Sequence, residues 1–196
     1  MYNETVKEYK VVKKFSDISQ KSIYFVKKQI KESIIEIGKR CYAKGFVASN
    51  DGNISVRLDS SSFYITASGK SKGFLIEEDI LLCDLEGKLL EGSGKISSEV
   101  KMHSMVYKNR ADVNGICHAH PIYSTTFAVA GVPFDQPILA EVVVSLGKIP
   151  LVEYATPGTD QLPKNIKRYV DSYDGFLLEK HGVLTLGKDL EMAYYR

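Results

Sequence analysis

The chain has 196 residues, enough for one domain with a full hydrophobic core, and its 44% hydrophobic and 26% charged residues are typical of a globular protein in water. Its net charge of +2 is too small to indicate a nucleic acid or a membrane surface as a partner. No apolar run approaches the ~20 residues of a membrane span, and the segment MYNETVKEYK contains no apolar run either. We therefore expect neither a membrane span nor a secretory signal.

The three cysteines, Cys41, Cys83 and Cys117, lie far apart and form no CxxC pair. An odd number of cysteines suits no closed set of disulfides. Their apolar neighbours indicate buried, reduced thiols, and this predicts a protein of the reducing cytoplasm.

The N-terminal part of the chain changes character near residue 20. Residues 1–20 are charged and weakly patterned, and we interpret them as an N-terminal extension before a domain over residues 21–196. From Ile18 to Lys44, apolar residues recur at steps of three and four, which predicts one long amphipathic helix. Gly45 would end that helix as a left-handed cap.

Alternating and β-branched segments after this helix predict two hairpins. The first joins strands over Ile54–Arg57 and Phe63–Thr66, with turn formers between them. The second joins strands over Ile80–Leu85 and Lys88–Leu90.

The rest of the chain alternates between predicted helices and strands. In chain order they are a helix with Ser97 or Ser98 as N-cap, a strand Val113–His118, helices Tyr123–Ala130 and Ala140–Leu146, a strand Ile149–Tyr154, a helix Lys164–Tyr173, strands Gly175–Leu178 and Val183–Leu186, and a last helix from Glu191. With no internal repeat and no linker, the pattern predicts one α/β domain with a central, mainly antiparallel sheet flanked by helices.

A His-x-His pair, His118 and His120, stands at the end of one predicted strand. Because side chains alternate between the faces of a strand, both imidazoles point the same way and can reach one cation at roughly 2.1 Å. Cys117 would face away from both. Two ligands do not complete a metal site, so other segments must supply the rest.

His181 and Glu99 are the candidates to complete the site. His181 precedes Gly182 at a sharp junction between strands. Three histidines with one open position are typical of a catalytic zinc site, where neutral imidazoles leave the cation its charge for Lewis-acid chemistry. Glu99 is interpreted either as a first-turn residue that complements the helix dipole or as a metal ligand that then moves a proton. His103, one turn later, is interpreted as a packing or hydrogen-bonding residue.

Three segments of small and hydroxyl-bearing residues could together bind a phosphate: Asp51–Asn53, Ser68–Lys70 and Ser97–Ser98. Small residues let backbone N–H groups approach a ligand, and hydroxyl groups add donors. Each segment alone is equally well an ordinary turn, and the SGK segment is not part of a Walker motif because GxxxxGK[ST] is absent.

Six motifs occur in the order and spacing of the class II aldolase/adducin family: GNIS, TASG, SSE, HAH, YATPGT and KHG, at residues 52–55, 66–69, 97–99, 118–120, 154–159 and 180–182. The chain resembles this family from about Lys21 to Arg196, and its motifs are most similar to those of the aldolases that cleave L-fuculose 1-phosphate. The resemblance implies a three-layer α/β/α fold and a homotetramer with active sites at subunit boundaries. It also implies a zinc-dependent aldehyde-lyase that reversibly cleaves a ketose 1-phosphate to dihydroxyacetone phosphate and an aldehyde such as L-lactaldehyde.

Carried over by position, the resemblance implies one Zn²⁺ per subunit, a carboxylate that acts as both ligand and acid/base, and a phosphate site. The implied metal ligands are Glu99, His118, His120 and His181, and Glu99 is also the implied catalytic acid/base. The implied phosphate-binding residues are Gly52, Asn53, Ser68, Gly69, Ser97 and Ser98.

The chain departs from the family's pattern in two places. The family's aldolases use a tyrosine of a neighbouring subunit for the second proton transfer, at the oxygen of the aldehyde, and the corresponding segment here, residues 137–141, contains none. The family's C-terminal helix is expected to be cut short at Arg196.

Three alternative functions follow from the same resemblance. An L-ribulose-5-phosphate 4-epimerase would share the histidines, but it usually has Asp where Glu99 stands. A methylthioribulose-1-phosphate dehydratase would have a similar metal set and a comparable acidic residue. A non-enzymatic, adducin-like scaffold would lack the three histidines.

Overall fold

A computed structural model of the chain describes residues 4–137 and 139–196. The helices are α1 (Glu4–Ala43), α2 (Val100–Asn109), α3 (Ile122–Ala130), α4 (Ala140–Ser145), α5 (Gln161–Ile166) and α6 (Leu190–Tyr195). The strands are β1 (Asn53–Arg57), β2 (Ser62–Thr66), β3 (Ile80–Asp84), β4 (Leu89–Glu91), β5 (Gly115–Ala119), β6 (Leu151–Val152), β7 (Gly175–Leu178) and β8 (Gly182–Gly187). None of the described helices is long and apolar enough to cross a membrane.

The eight strands form one sheet in the order β4-β3-β2-β1-β5-β8-β7-β6. Every neighbouring pair is antiparallel except β6 and β7. Strands β1 and β5 lie side by side at the centre although three strands and α2 separate them in sequence. The predicted α/β fold with a central, mainly antiparallel sheet is therefore confirmed.

Helices cover both faces of this sheet. Strands near the centre have apolar side chains on both sides, and these need cover from water. One core packs α1 and α6 against the sheet, and the buried residues of these helices are Ile34, Ile37, Cys41, Leu190 and Ala193. The other core packs α2 and α5 against the opposite face, through Met102, Val106, Tyr107, Leu162 and Ile166. The molecule thus has the three layers that the resemblance implied.

Both predicted hairpins and most of the helices occur close to their predicted bounds, but several ends differ. Helix α1 begins at Glu4 rather than Ile18, so the residues interpreted as an extension belong to the same helix from Glu4 onward. Met1–Asn3 lie outside the described residues, and the division at residue 20 stays a prediction.

Two elements of the second half are shorter than predicted. The strand expected over Ile149–Tyr154 is reduced to the two residues of β6. The helix expected over Lys164–Tyr173 is wrong at both ends, since α5 runs from Gln161 to Ile166 and the chain then continues in turns. Pro163 lies within the first turn of α5, where a missing N–H removes no intrahelical hydrogen bond.

Candidate metal centre

Three histidines from separate parts of the chain meet at one end of β5. His118 lies on β5, and His120 follows the last residue of that strand. The pairing of β5 with β8 places Ala119 opposite Val183, so the turn before β8 brings His181 next to His120. The ring centroids of the three imidazoles lie 4.6–5.3 Å apart.

Two glycines of the sequence motifs make this approach possible. A Cβ atom on Gly182 would lie 2.3 Å from Cδ2 of His120 and 2.6 Å from the Ala119 carbonyl oxygen. A Cβ atom on Gly52, whose φ is +70°, would lie 2.6 Å from the His118 carbonyl oxygen. Real side chains do not approach backbone atoms so closely, so both positions require glycine.

The imidazole nitrogens and the Glu99 carboxylate converge on one small volume. Nε2 of His118 lies 3.2 Å from Nε2 of His120 and 3.1 Å from Oε2 of Glu99. Nε2 of His181 lies 3.1 Å from Oε1 of Glu99. One ligand atom from each histidine lies within 4.8 Å of the other two.

Polar contacts at the far side of two rings determine which nitrogens face this volume. Nδ1 of His118 donates to the Val183 carbonyl oxygen at 2.8 Å. Nδ1 of His120 lies 3.1 Å from Oδ2 of Asp51, and Oδ1 of Asp51 accepts hydrogen bonds from the backbone N–H groups of Ala48 and Ser49. In neutral imidazoles, Nε2 then carries a lone pair, and two such lone pairs facing each other repel unless a cation or a proton lies between them.

This donor set fits a divalent cation. Donor atoms held about 2.1 Å from a tetrahedral ion are separated by about 3.4 Å, close to the 3.1–3.2 Å between the atoms here. Three imidazoles and a carboxylate suit zinc and similar transition-metal ions. Backbone and carboxylate acceptors on the remote nitrogens are the supports that metal-binding histidines commonly have.

Glu99 occupies the N-cap position of α2, and this corrects the expectation that Ser97 or Ser98 is the N-cap. Its side chain makes no cap hydrogen bond and turns toward the histidines instead. Burial alone would raise the pKa of Glu99, but the charge and hydrogen bond of His118, with the hydrogen bond of His181, lower that pKa well below its usual range. Glu99 is therefore a charged carboxylate in a nearly dry site.

The same surroundings shift the pKa values of His118 and His120 in opposite directions. Burial disfavours a charged His118, but the adjacent Glu99 carboxylate raises the pKa of His118 above its ordinary value. For His120, burial and the neighbouring positive charges lower the pKa to about 4. A neutral His120 is the form that can offer Nε2 to a cation.

A second set of buried polar residues lies behind Glu99. The amide Nδ2 of Asn53 donates to Oε2 of Glu99 at 2.7 Å, and Oδ1 of Asn53 contacts Nε2 of His103. Nδ1 of His103 lies 2.6 Å from Oγ of Ser55, which lies 2.8 Å from the Tyr107 hydroxyl. The interpretation of His103 as a hydrogen-bonding residue is thus confirmed.

The three predicted phosphate segments lie next to one another at this end of the sheet. The backbone N–H of Ser68 donates to the Lys95 carbonyl oxygen at 2.8 Å, which joins the second segment to the stretch before the third. The buried Nζ of Lys72 donates to the carbonyl oxygens of Asn50, which directly precedes the first segment, and of Lys70, which ends the second. Their roles in phosphate binding stay predictions.

The individual residues of these segments differ in access to solvent. Ser98 and Gly69 are exposed, and Gly52 and Ser68 are half-buried. Asn53 and Ser97 are buried, and the Asn53 amide is already bonded to Glu99 and His103. Sequence reasoning did not identify Asp51, Ser55 or Tyr107 as supports of the site, since only the strand register and the position of α2 bring them there.

Residues 32–196 match the family described as Class II Aldolase and Adducin N-terminal domain. An L-fuculose phosphate aldolase of Methanococcus maripaludis is 35% identical over 162 residues, which cover 83% of this chain and 87% of that protein. A 3-oxo-tetronate 4-phosphate decarboxylase of Haemophilus influenzae is 32% identical, over 82% of this chain and 78% of that protein.

Solved structures show the same likeness. A structure titled L-fuculose 1-phosphate aldolase superposes with a TM-score of 0.79 at 30% identity, over 85% of this chain and 79% of that chain. YgbL of Escherichia coli, titled a putative aldolase/epimerase/decarboxylase, superposes with a TM-score of 0.81 at 25% identity, over 87% of this chain and 84% of that chain.

Proposed function

This chain belongs to the class II aldolase and adducin family, and from that premise we propose that it is a metal-dependent aldolase acting on a sugar phosphate. The reaction is the reversible cleavage of a ketose 1-phosphate, with L-fuculose 1-phosphate as the leading candidate, to dihydroxyacetone phosphate and an aldehyde. The observation that carries the proposal is the convergence of three imidazole nitrogens beside the buried Glu99 carboxylate.

His118, His120 and His181, with Glu99, would hold one divalent ion, which we propose to be Zn²⁺. When bound, such an ion supplies Lewis-acid polarisation of the substrate's carbonyl oxygen and so makes the adjacent C–H acidic. The three histidines contribute no negative charge, and the carboxylate is the only anionic group among these four proposed ligands.

Glu99 is the group proposed to move the proton at C3 of dihydroxyacetone phosphate. Its Oε2 accepts the hydrogen bond from the Asn53 amide, whereas its Oε1 is not bonded to that amide and faces Nε2 of His181 at 3.1 Å. Oε1 is therefore the atom that would take the proton in the direction of bond formation and return it after cleavage. Burial keeps water away from this exchange, because Glu99 is only 8% exposed.

The substrate's phosphate would bind to the three loop segments. Gly52, Gly69 and Ser98 are accessible from solvent, and Ser98 directly precedes the N-cap of α2. The N-terminus of α2, a helix of ten residues, offers unpaired N–H groups and positive potential to an anion. Lys72 adds a buried cation behind two of these segments.

The remaining features of the proposal come from the family resemblance. We propose a cytoplasmic homotetramer, in which a neighbouring subunit would approach the site and supply groups that this subunit lacks. The residue that takes the hydroxyl proton as the aldehyde forms, and returns it in the reverse reaction, is then not a tyrosine of the segment 137–141, because that segment contains none.

A decarboxylase acting on a 3-oxo sugar-acid phosphate is the second candidate, since one relative with that name is 32% identical. Both reactions need a carbanion next to a carbonyl group, and a cation beside a carboxylate suits either one. The L-ribulose-5-phosphate 4-epimerase is disfavoured by Glu99, and the methylthioribulose-1-phosphate dehydratase is a further outcome of the test below.

The test is an assay of the Zn²⁺-loaded protein against a panel of ketose 1-phosphates, a 3-oxo-tetronate 4-phosphate, methylthioribulose 1-phosphate and L-ribulose 5-phosphate. We expect cleavage of a ketose 1-phosphate and exchange of one C3 hydrogen of dihydroxyacetone phosphate in D₂O. Turnover of another panel member without this exchange would replace the aldolase proposal, and binding of no metal would overturn it.

A further inference from the structure

A buried chain of hydrogen bonds runs from Glu99 to Tyr107 across the interface between β1 and α2. It passes from the Glu99 carboxylate to the amide of Asn53, the imidazole of His103, the hydroxyl of Ser55 and the hydroxyl of Tyr107. Their exposed fractions run from 0% for Ser55 and His103 to 8% for Glu99. A buried polar chain of this length costs free energy unless all its members are paired, so its connectivity specifies one arrangement.

The charge at one end determines the direction of every bond in the chain. An ionised Glu99 can only accept, so the Asn53 amide must turn its NH₂ group toward Oε2 and its Oδ1 toward His103. Oδ1 can only accept, so His103 must carry its proton on Nε2. Its Nδ1 is then an acceptor for the Ser55 hydroxyl, which in turn accepts from the Tyr107 hydroxyl.

The opposite direction would break the contact at the carboxylate. A proton on Nδ1 of His103 would make Nε2 an acceptor, and the Asn53 amide would have to turn over to pair with it. Oδ1 of Asn53 would then face Oε2 of Glu99, two acceptors in a buried site. Burial lowers the pKa of His103 to about 3, so the ring is neutral and carries one proton.

We propose that His103 is a positioning residue, which as the Nε2–H tautomer fixes the orientation of the Asn53 amide and so holds the Glu99 carboxylate beside the histidine cluster. The inference deepens the proposed function, because it concerns the orientation of the proposed acid/base. His103 does not relay protons in this arrangement, since an amide separates it from the carboxylate. His103 is also not a candidate ligand, because its Nε2 is bonded to the Asn53 amide, which lies between His103 and Glu99.

Loss of the donor at His103 frees Asn53 to turn over, and Glu99 then loses the hydrogen bond that selects its rotamer. Residues that support metal ligands and catalytic groups in this way typically contribute about 10–100-fold to metal affinity or activity. We expect this loss in kcat for C3 hydrogen exchange, while the KM for dihydroxyacetone phosphate changes less than about threefold, because the exposed loop segments are unaffected.

The variants His103→Gln and His103→Leu separate positioning from simple packing. The amide NH₂ of glutamine can reach the position of Nε2 and donate to Asn53, so His103→Gln should retain most of the exchange rate. His103→Leu fills the space without a donor and should lose it. Met102→Leu, a change of a buried neighbour on the same helix that makes no bond in the chain, is the matched control and should retain wild-type kcat.

Two measurements judge the inference without any enzymatic activity. In ¹⁵N NMR spectra of the wild-type protein, His103 should appear as the neutral Nε2–H tautomer at pH 7. The visible absorption spectrum of the Co²⁺-loaded protein reports the ligands of the ion, and it should be shared by wild type and His103→Gln but altered in His103→Leu.

The outcomes separate the two proposals. A wild-type protein that binds Co²⁺ but exchanges no hydrogen would overturn the aldolase function and leave the NMR and Co²⁺ results to decide the role of His103. An Nδ1–H tautomer, or a His103→Leu protein with the wild-type Co²⁺ spectrum, would overturn the positioning role. If His103→Leu does not fold, the tautomer of His103 in the wild-type protein still decides its positioning role. The Ser55→Ala variant gives a second measurement, because it removes the donor to Nδ1 and should weaken the preference for the Nε2–H tautomer.

Discussion

The two faces of β1 are both buried, but they are built from opposite chemistry. Ile54 and Val56 point to the side of α1 and belong to an apolar core. Asn53 and Ser55 point to the side of α2 and bond to Glu99, His103 and Tyr107. Alternation of apolar and polar residues usually marks a strand with one face in water. Here a helix with matching polar groups covers the polar face.

The difference between these faces separates stability from chemistry. On the apolar face, hydrophobic burial stabilises the fold and many side chains of similar volume would serve. On the polar face, each group needs a specific partner in a specific direction, and such a network contributes little net stability for its size. We therefore expect changes to the polar groups on the α2 side of β1, and to the histidines beside them, to affect metal binding and turnover, and changes on the apolar face of β1 to affect the free energy of unfolding.

The largest expected effect is the loss of Zn²⁺ affinity in His120→Ala, which changes one of the three clustered imidazoles. Removal of one of three imidazoles should weaken Zn²⁺ binding by more than about 100-fold, beyond the 10–100-fold typical of residues that only support ligands. Lyase activity should be lost with the metal. Competition with a chelator of known affinity measures the change, and Thr126→Ala, an exposed change on α3, is the control. Wild-type affinity in His120→Ala would show that the histidines do not form the site.

Glu99→Gln should retain most of the Zn²⁺ but lose the proton transfer. A positioned acid/base contributes typically 10²–10⁴-fold, about 3–5 kcal/mol of the barrier. Exchange of the C3 hydrogen of dihydroxyacetone phosphate in D₂O, followed by NMR, measures it. Glu91→Gln, at a surface carboxylate paired with Lys27, should exchange at the wild-type rate. Unchanged exchange in Glu99→Gln would assign the base to another group.

Ile54→Ala tests the apolar face of the same strand. Truncation of a fully buried isoleucine should lower the free energy of unfolding by about 2–5 kcal/mol. Below the melting transition, kcat should stay within about threefold of wild type, because the polar groups of β1 keep their partners. Urea denaturation and the exchange assay together check this. A stable Ile54→Ala protein with greatly reduced kcat would contradict the division of roles between the two faces.

The smallest expected effect is the contribution of Lys72 to the way the free energy of unfolding changes with pH. Burial lowers the pKa of Lys72 from 10.5 to about 8, although the charge of Asp51 opposes the shift. Between pH 8 and 10.5 the unfolded chain therefore binds a proton that the folded chain does not, and the stability contributed by this group rises with pH. The rise is up to about 3 kcal/mol for a shift of this size.

Urea denaturation at pH 7.5, 9 and 10.5 checks this sign. Wild type should gain stability relative to Lys72→Met as the pH rises through this range. Lys70→Met, a change at a more exposed neighbouring lysine, is the control and should follow the wild-type curve. A constant difference between wild type and Lys72→Met would contradict the lowered pKa.

Much of the site could be predicted because its parts carry local signals. The spacing of His118 and His120 on a strand, and the glycine after His181, are visible in a single sequence, and the structure brings the three imidazoles together. The two hairpins have clear alternation and turn residues and were also predicted correctly.

The supports of the site could not be predicted, because they depend on contacts between distant segments. Ser55 and Tyr107 meet only because β1 pairs with β5 and α2 crosses that face. Glu99, and not a serine, is the N-cap residue of α2. Its carboxylate does not cap the helix and accepts a hydrogen bond from Asn53 on β1, a contact that the local sequence does not reveal. The predicted start of α5 at Lys164 is too late, because α5 begins at Gln161 and contains Pro163 in its first turn, where proline is tolerated.

Crystallographic anomalous scattering at the zinc absorption edge, on the Zn²⁺-loaded protein, tests directly whether the three imidazoles bind one ion. We expect one strong peak per subunit, about 2.0–2.2 Å from Nε2 of His118, His120 and His181. A peak elsewhere, or a peak at this position with the His181 ring turned away from it, would show that the three histidines do not share one ion.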